Sequence, residues 1–177
     1  MEVFQLHIDK RFPASNIRLL EAEGMSIVWG TFQLNEELDI QKYSSDTNKS
    51  RNNYFLSHFC ISGNTKSTAT ERQFQICDEQ HSIFSLKEGS AVNLHIAPSR
   101  KGYNSFFEYS LSQKYFKEHF IQESRILNDM EKRTEMESIC WAGRNLCITP
   151  SMMFLISEIT RQPYSGAMMS LFLESKI

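Results

Sequence analysis

Two histidines lie in segments whose alternating apolar pattern predicts β-strands, and an imidazole can bind a metal or carry a proton near neutral pH. They are His58 and His95. A metal-dependent barrel enzyme would need two histidines separated by one residue, a nearby glutamate and a third histidine on a neighbouring strand. Neither histidine has these companions in its own segment. We therefore expect no metal site and no cofactor, and a metal-dependent enzyme is the least favoured alternative.

The side chains that perform covalent catalysis are equally isolated. The cysteines at positions 60, 77, 140 and 147 form no Cys-x-x-Cys pair, and none has a histidine at the spacing of a zinc site. The sequence contains no Gly-x-Ser-x-Gly motif, which would mark the nucleophile of a hydrolase. These patterns predict buried free thiols, no catalytic residue and a protein that is not an enzyme.

Aromatic side chains make up 12% of the chain, and on strands of a barrel they can line a pocket as well as fill a core. Arg72 begins a predicted strand, where its guanidinium fork could bind a carboxylate or phenolate of an entering ligand. Ordinary aromatic core is the alternative, because small barrels are usually filled by their own side chains. The candidate ligand-binding residues are Trp29, His58, Phe59, Arg72, Phe74, His95 and Tyr109.

The elements that must position these residues have the period of strands as far as residue 111. The predicted strands include residues 25–34, 54–61, 72–77, 82–86, 91–97 and 106–111, after an apolar start at residues 3–8. Residues 44–53 contain no apolar side chain and predict an exposed loop. Seven or more short strands separated by turns, with no helical segment between them, indicate an antiparallel barrel or jelly roll. Residues 1–111 are therefore predicted to form one β-barrel domain.

The apolar period changes to that of a helix at Ser112, which can cap the new helix. Residues 112–177 are predicted to be helical, so the fold class is α+β, mainly β, with C-terminal helices. Thr149-Pro150 predicts a helix start, because threonine can cap an amide and proline at the first position has none to lose. The last predicted helix is still running at Ile177, so we expect the natural polypeptide to continue.

Methionines give the last two predicted helices a wide apolar surface, and methionine adapts well to a partner. Met153 and Phe154 point away from the apolar stripe formed by Met152, Leu155, Ile156 and Ile159. We expect a homodimer or interdomain interface there, with burial in the core as the alternative. The candidate interface residues are Met152, Met153, Ile156, Met168, Met169 and Phe172.

Charge and hydropathy limit the partners of the chain. With 19 basic and 21 acidic residues the formal net charge is −2, which lacks the positive surplus of a nucleic-acid-binding surface. No apolar window is long enough to span a membrane, and the first residues do not resemble a signal peptide. We expect a cytoplasmic protein that binds neither membrane nor, through these residues, DNA.

Three segments near the C-terminal end carry a resemblance to a known family. They are residues 146–152, Leu-Cys-Ile-Thr-Pro-Ser-Met; residues 159–166, Ile-Thr-Arg-Gln-Pro-Tyr-Ser-Gly; and residues 171–176, Leu-Phe-Leu-Glu-Ser-Lys. This stretch resembles the end of the sensor domain in bacterial AraC/XylS transcription regulators, and it is most similar to the subgroup of pyochelin-responsive regulators. The resemblance extends more loosely over residues 54–177. Gln162 departs from it, since many relatives carry a cysteine there.

The resemblance implies a cupin-like barrel that binds a small effector, followed by helices that dimerise or contact a DNA-binding half. That half is absent from this chain, so DNA binding would require a C-terminal helix-turn-helix domain. The effector would be a siderophore or another metabolite. Two alternatives remain open: a pure dimerisation module whose barrel is solid, and a metal-dependent cupin enzyme.

Overall fold

A computed structural model of the chain describes residues 3–6, 15–22, 24–43, 54–69, 72–86, 91–120, 139–140 and 145–161, together with Met168 and Phe172. Twelve strands and two helices are described. The strands before the first helix are β1 (Val3–Leu6), β2 (Asn16–Ala22), β3 (Met25–Phe32), β4 (Leu38–Tyr43), β5 (Tyr54–Ser62), β6 (Asn64–Ala69), β7 (Arg72–Cys77), β8 (Gln80–Leu86), β9 (Ala91–Ala97) and β10 (Asn104–Ser112). They are followed by α1 (Gln113–Phe120), β11 (Ile139–Cys140), β12 (Leu146–Cys147) and α2 (Pro150–Arg161).

The strands form two antiparallel sheets. Sheet A has the order β1-β2-β3-β10-β5-β8, and both β11 and β12 pair with β8. Sheet B has the order β4-β9-β6-β7. The chain passes between the sheets in the order that defines a jelly roll, with β3, β10, β5 and β8 in one sheet and β4, β9, β6 and β7 in the other. The predicted fold class, mainly β with an antiparallel cupin-like barrel and C-terminal helices, is confirmed.

The space between the sheets holds the first of two apolar cores. Successive side chains of a strand point to opposite faces, so alternate residues of both sheets meet there. Its buried members are Ile17, Phe32, Leu56, Cys60, Ile76, Phe84, Leu94 and Ile96. Because this core contains residues of both sheets, it holds the jelly roll together.

The second core lies on the other face of sheet A, beneath the helices. Its buried members are Leu20, Met25, Ile27, Trp29, Phe55, Phe59, Phe107, Leu111, Phe116 and Ile156. Phe116 of α1 and Ile156 of α2 bring both helices onto this face, and the Phe55 and Phe116 rings stack with centroids 3.8 Å apart. Sheet A is therefore buried on both of its faces.

Both helix starts expected from the sequence are confirmed. The Ser112 hydroxyl accepts a hydrogen bond from the Tyr115 amide at 3.1 Å, and Thr149 Oγ1 accepts one from the Met152 amide at 3.2 Å. Each hydroxyl satisfies an amide that lacks a partner in the first helical turn. Neither described helix is long and apolar enough to cross a membrane. The loop predicted at residues 44–53 and the turn after Arg161 lie outside the described residues.

The structure adds strands that the sequence analysis did not identify. β2 was not assigned, and β6 was missed because its sequence, Asn-Thr-Lys-Ser-Thr-Ala, contains no large apolar residue. Thr65 and Ser67 of β6 are nevertheless buried between the sheets. The prediction that residues 112–177 are entirely helical is wrong, because β11 and β12 extend sheet A from within this region.

Candidate functional site

The predicted ligand-binding residues do not line a single pocket. Trp29, Phe59 and Tyr109 belong to the second core, on the helix side of sheet A, so they do not face the barrel interior. Phe74 packs against the core between the sheets, where its ring meets Phe84 edge-on at 5.7 Å. The prediction overlooked that a sheet covered by helices buries rings on both faces, and strand alternation divides these rings between them.

The two strand histidines are also separated. His58 of β5 is buried between the sheets, whereas His95 of β9 lies on the outer face of sheet B. His95 pairs there with two exposed carboxylates, Nδ1 with Asp39 at 2.8 Å and Nε2 with Glu37 at 3.4 Å. His95 therefore does not face the barrel interior. Arg72 begins β7 opposite Ala69, and its side chain lies outside the described part of the chain.

An imidazole–carboxylate pair lies inside the barrel. His58 Nδ1 is 2.9 Å from Glu108 Oε2, and the side chains are only 7% and 9% exposed. The pair joins neighbouring strands, because Glu108 of β10 is directly opposite His58 of β5. With Glu108 ionised, its carboxylate only accepts hydrogen bonds, so in that state Nδ1 is the donor and Glu108 fixes the orientation of the ring. The Phe106 ring lies nearly parallel to the imidazole, with centroids 6.2 Å apart.

The other ring nitrogen of His58 is buried, and no described residue forms a hydrogen bond with it. Among the described residues, Ser67 Oγ on the facing sheet is also buried and without a hydrogen bond. A buried polar atom without a partner costs about 1–3 kcal/mol, so it is usually satisfied by water or a ligand. The barrel interior thus contains an oriented imidazole nitrogen and a hydroxyl for which the described residues supply no hydrogen bond.

Three side chains on neighbouring strands have the residue types of a catalytic triad but do not form one. Ser82 of β8 is directly opposite His58, which places serine, histidine and glutamate side by side. The Ser82 hydroxyl, however, donates to Asn145 Oδ1 at 2.8 Å, and Ser82 is fully buried. A nucleophilic serine must donate its proton to the histidine and be reachable by substrate. In this arrangement His58 does not activate Ser82.

Metal binding would need several ligands converging on one point. Within the described residues, no group of three or more His, Cys, Asp or Glu side chains is arranged to hold a metal ion. The imidazole of His58 has one carboxylate beside it, and that carboxylate contacts Nδ1 while Nε2 is the unpartnered nitrogen. The described donor set suits a hydrogen-bonded organic ligand better than a metal ion.

The cysteines differ in exposure. Cys60 is buried, and burial raises the pKa of its thiol to about 12, with a smaller contribution from Asp78. Cys77 is partly buried, and Cys147 is exposed. The prediction of buried thiols therefore holds for Cys60 and is wrong for Cys147, which belongs to the short edge strand β12.

A second buried histidine lies on the helix side of sheet A. His81 is 3% exposed, and its ring stacks on Phe59 with centroids 4.8 Å apart and an interplanar angle of 10°. Burial lowers the pKa of His81, because the charged imidazolium loses its hydration beneath the helices. His81 is therefore kept neutral in the folded protein near pH 7.

This burial predicts a loss of stability in mild acid. The unfolded chain takes up a proton on His81 below about pH 6.5, whereas the folded chain resists it, so protonation favours unfolding. The free energy of unfolding should fall as the pH is lowered from about 7.5 to about 5.5. Urea unfolding at several pH values measures this change. The free energy of unfolding of His81→Phe, which keeps a ring on Phe59, should depend less on pH than that of the wild type. The same pH dependence of the free energy of unfolding in both proteins would contradict the assignment of the acid destabilisation to His81.

The predicted interface residues divide into buried and exposed sets. Ile156 is 6% exposed and packs on sheet A, and Met152 and Phe172 pack against the same core. Their apolar side chains are thus used within the chain, which corrects the prediction that Ile156 faces a partner. Met153 and Met168 are exposed, while Met169 lies outside the described residues. Among the described residues of this region, the exposed large apolar side chains are Met153, Phe154, Leu155 and Met168.

Glu108 is the residue of this site that the sequence analysis did not single out. Its signal was present, because an acidic residue within the run Phe-Phe-Glu-Tyr of a predicted strand needs a buried partner. Ser67 gave no comparable signal, since its strand was not identified. The site therefore combines one predicted residue, His58, with two that were not predicted.

Comparison with known proteins places the chain in a regulator family. The family model described as the regulatory protein PchR N-terminal domain matches residues 15–177. No curated protein sequence matches the chain significantly. The chain is similar in structure to the AraC-like transcriptional activator CuxR, at 10% identity and a TM-score of 0.46, over 89% of this chain and 49% of that one.

Two other solved structures illustrate the range of similar folds. An HTH_3 family transcriptional regulator from Vibrio cholerae matches at 12% identity and a TM-score of 0.39, over 55% of this chain and 50% of that one. The Cnp3 cupin domain from Schizosaccharomyces pombe matches at 11% identity and a TM-score of 0.41, over 60% of this chain and 74% of that one. The chain thus spans about half the length of the two regulators. Because the family model matches nearly the whole chain, the chain belongs to the family of PchR N-terminal domains, the regulatory domains of AraC-type transcription regulators.

Proposed function

We propose that this domain senses a small-molecule effector between its two sheets and dimerises through the exposed face of α2, without catalysing a reaction. The observation that carries the sensing part is the buried Nε2 of His58, which is oriented by Glu108 and has no hydrogen-bond partner in the described part of the chain. In the full-length regulator, DNA would be bound by a separate helix-turn-helix domain. We further propose that the protein acts in the cytoplasm, where its DNA target is found.

The surroundings of His58 indicate the chemistry of the effector. Phe74, Phe84 and Phe106 pack in or against the core between the sheets, so most of the ligand surface must be apolar or aromatic. A polar group of the ligand would bind His58 Nε2, which in its neutral form is an acceptor when Nδ1 donates to Glu108. The proposed effector is therefore a largely apolar molecule that carries a hydroxyl or amide donor.

Effector binding between the sheets can change the position of the helices through a single strand, β5. His58 faces the barrel interior, while its neighbour Phe59 faces the helices and stacks on His81. The same core contains Ile156 of α2. A ligand that binds one arrangement of β5 more tightly than another would shift the position of α2 by its difference in affinity. Such a shift would change the relation between the proposed dimer surface and the DNA-binding domain.

Thermal unfolding in the presence of metabolites tests this proposal. A ligand at about 100 times its dissociation constant should stabilise the domain by roughly 2.7 kcal/mol. The panel should contain largely apolar hydroxy and amide compounds as well as siderophores. The wild-type protein should be stabilised by one class of compound, and His58→Ala should lose most of that stabilisation. His95→Ala is the matched control, because His95 lies on the outer face of sheet B.

Equal stabilisation of the wild type and His58→Ala would contradict an effector site at His58. A dimerisation module with a filled barrel is the second candidate function, and the apolar cluster between the sheets favours it. The two candidates differ in this experiment, because a filled barrel predicts that no compound stabilises the wild type more than it stabilises His58→Ala.

A further inference from the structure

A cleft of about 250 Å³ opens at one end of sheet A, on the side covered by α2. Residues at the end of β5, the start of β10, the start of β2 and the end of β3 form its floor, and two residues of α2 lie above them. The described residues that line it are Asn16, Arg18, Trp29, Gly30, Thr31, Ile61, Ser105, Phe106, Ile156 and Thr160. Its volume is close to the lower end, about 300 Å³, of typical small-molecule pockets.

Local features of the strands form this cleft. The register of β10 on β5 shifts between Ser105 and Phe106, which leaves Ile61 as the extra residue of a β-bulge. Bulges redirect side chains, and they are frequent beside functional sites. At Gly30, an added Cβ atom would collide with the carbonyl oxygen of Asn16. Glycine therefore allows β2 to lie close beside β3, where Arg18 is paired directly with Trp29.

The described residues that line the cleft carry positive charge and no negative charge. Arg18 is the only charged residue among the described lining residues, and none of them is acidic. No ion pair between Arg18 and a described carboxylate is present. The other polar groups are amide and hydroxyl side chains, which can donate hydrogen bonds, whereas Trp29, Ile61 and Ile156 supply apolar surface. An arginine beside apolar surface is suited to a carboxylate with an apolar body.

We propose that this cleft is a binding site for a small organic acid. The carboxylate binds the guanidinium of Arg18, and the apolar body packs against Trp29, Ile61 and Ile156. A bound acid contacts both sheet A and α2, so it favours the arrangement in which the helix packs closely on the sheet. The site lies on the helix side of sheet A, whereas His58 lies between the sheets, and binding of the acid does not depend on an effector inside the barrel.

Cyclohexanecarboxylate and its neutral amide, cyclohexanecarboxamide, are suitable probes because they differ in charge and hardly in shape. Calorimetric titration of the whole chain should detect binding of the acid with a dissociation constant on the order of 1 mM, and much weaker binding of the amide. Arg18→Gln should weaken acid binding by about tenfold or more, because it removes a charged hydrogen bond. The affinity should fall with added salt, since Arg18 is exposed.

Lys114→Gln is the matched control, because it removes one positive charge from exposed α1, beyond the other end of β10. It should leave the affinity for the acid unchanged. Equal binding of acid and amide, or equal affinity of Arg18→Gln and the wild type, would overturn the proposal. If His58→Ala lost acid binding while Arg18→Gln kept it, the acid would bind in the barrel, which would overturn the cleft site and support the sensing function. Thermal unfolding of each variant establishes that it is folded.

Discussion

Replacing Phe59 by alanine is expected to lower the free energy of unfolding by about 3–5 kcal/mol, the range for loss of a buried aromatic ring. Phe59 lies in β5, between β10 and β8, and is 7% exposed. Its ring contacts three others: His81 at 4.8 Å, Phe107 at 5.9 Å and Tyr109 at 6.2 Å. Because β5 cannot move into the space that is left, most of the cavity should remain unfilled. Urea unfolding measures the change.

Phe154→Ala is the matched control for this substitution. Phe154 is 64% exposed on α2, so removal of its ring should change the stability of the monomer by less than about 0.5 kcal/mol. A loss below about 1 kcal/mol for Phe59→Ala would mean that the helix side of sheet A is not a packed core in solution. The transmission from His58 to α2 through β5 would then have no physical basis.

The pattern of β5 shows what could be predicted from the sequence. Residues 54–61 are predicted as a strand, and the structure buries residues 55–60 without interruption because sheet A is covered on both faces. The jelly roll and the helix starts followed correctly from periodicity and capping residues. Grouping Phe59 with Phe74 in one pocket failed, because alternation along β5 and β7 places their rings on opposite sides of sheet A.

The candidate site could be predicted only in part. His58 and Glu108 are 50 residues apart in sequence, and their contact depends on the register of β5 with β10. That register follows the bulge at Ile61, and no local pattern predicts an extra residue in a strand that is apolar on both faces. The buried Ser67 was missed for another reason, since a strand of small polar residues lacks the apolar signal by which strands are identified.

Phe154→Glu is expected to weaken the proposed dimerisation of the domain by about 100-fold, which corresponds to about 2.7 kcal/mol. Met153, Phe154 and Leu155 follow one another on the solvent side of α2, with exposures of 36%, 64% and 38%. Ile156 packs on sheet A, so these three side chains are the ones that α2 would present to a second copy in the proposed dimer. An exposed aromatic at the centre of an apolar patch typically provides much of the binding energy, and a carboxylate there would be buried without a partner.

Sedimentation equilibrium over a range of concentrations measures the dimer dissociation constant. Gln73→Glu adds the same charge to an exposed position of β7 on sheet B, so it should leave the constant unchanged. Met153→Glu should also weaken the proposed dimer, because Met153 lies in the same apolar patch as Phe154. Both α2 variants should keep the unfolding midpoint of a folded monomer, since neither side chain belongs to the second core. An unchanged dimer constant in both variants would contradict the proposed dimerisation through α2.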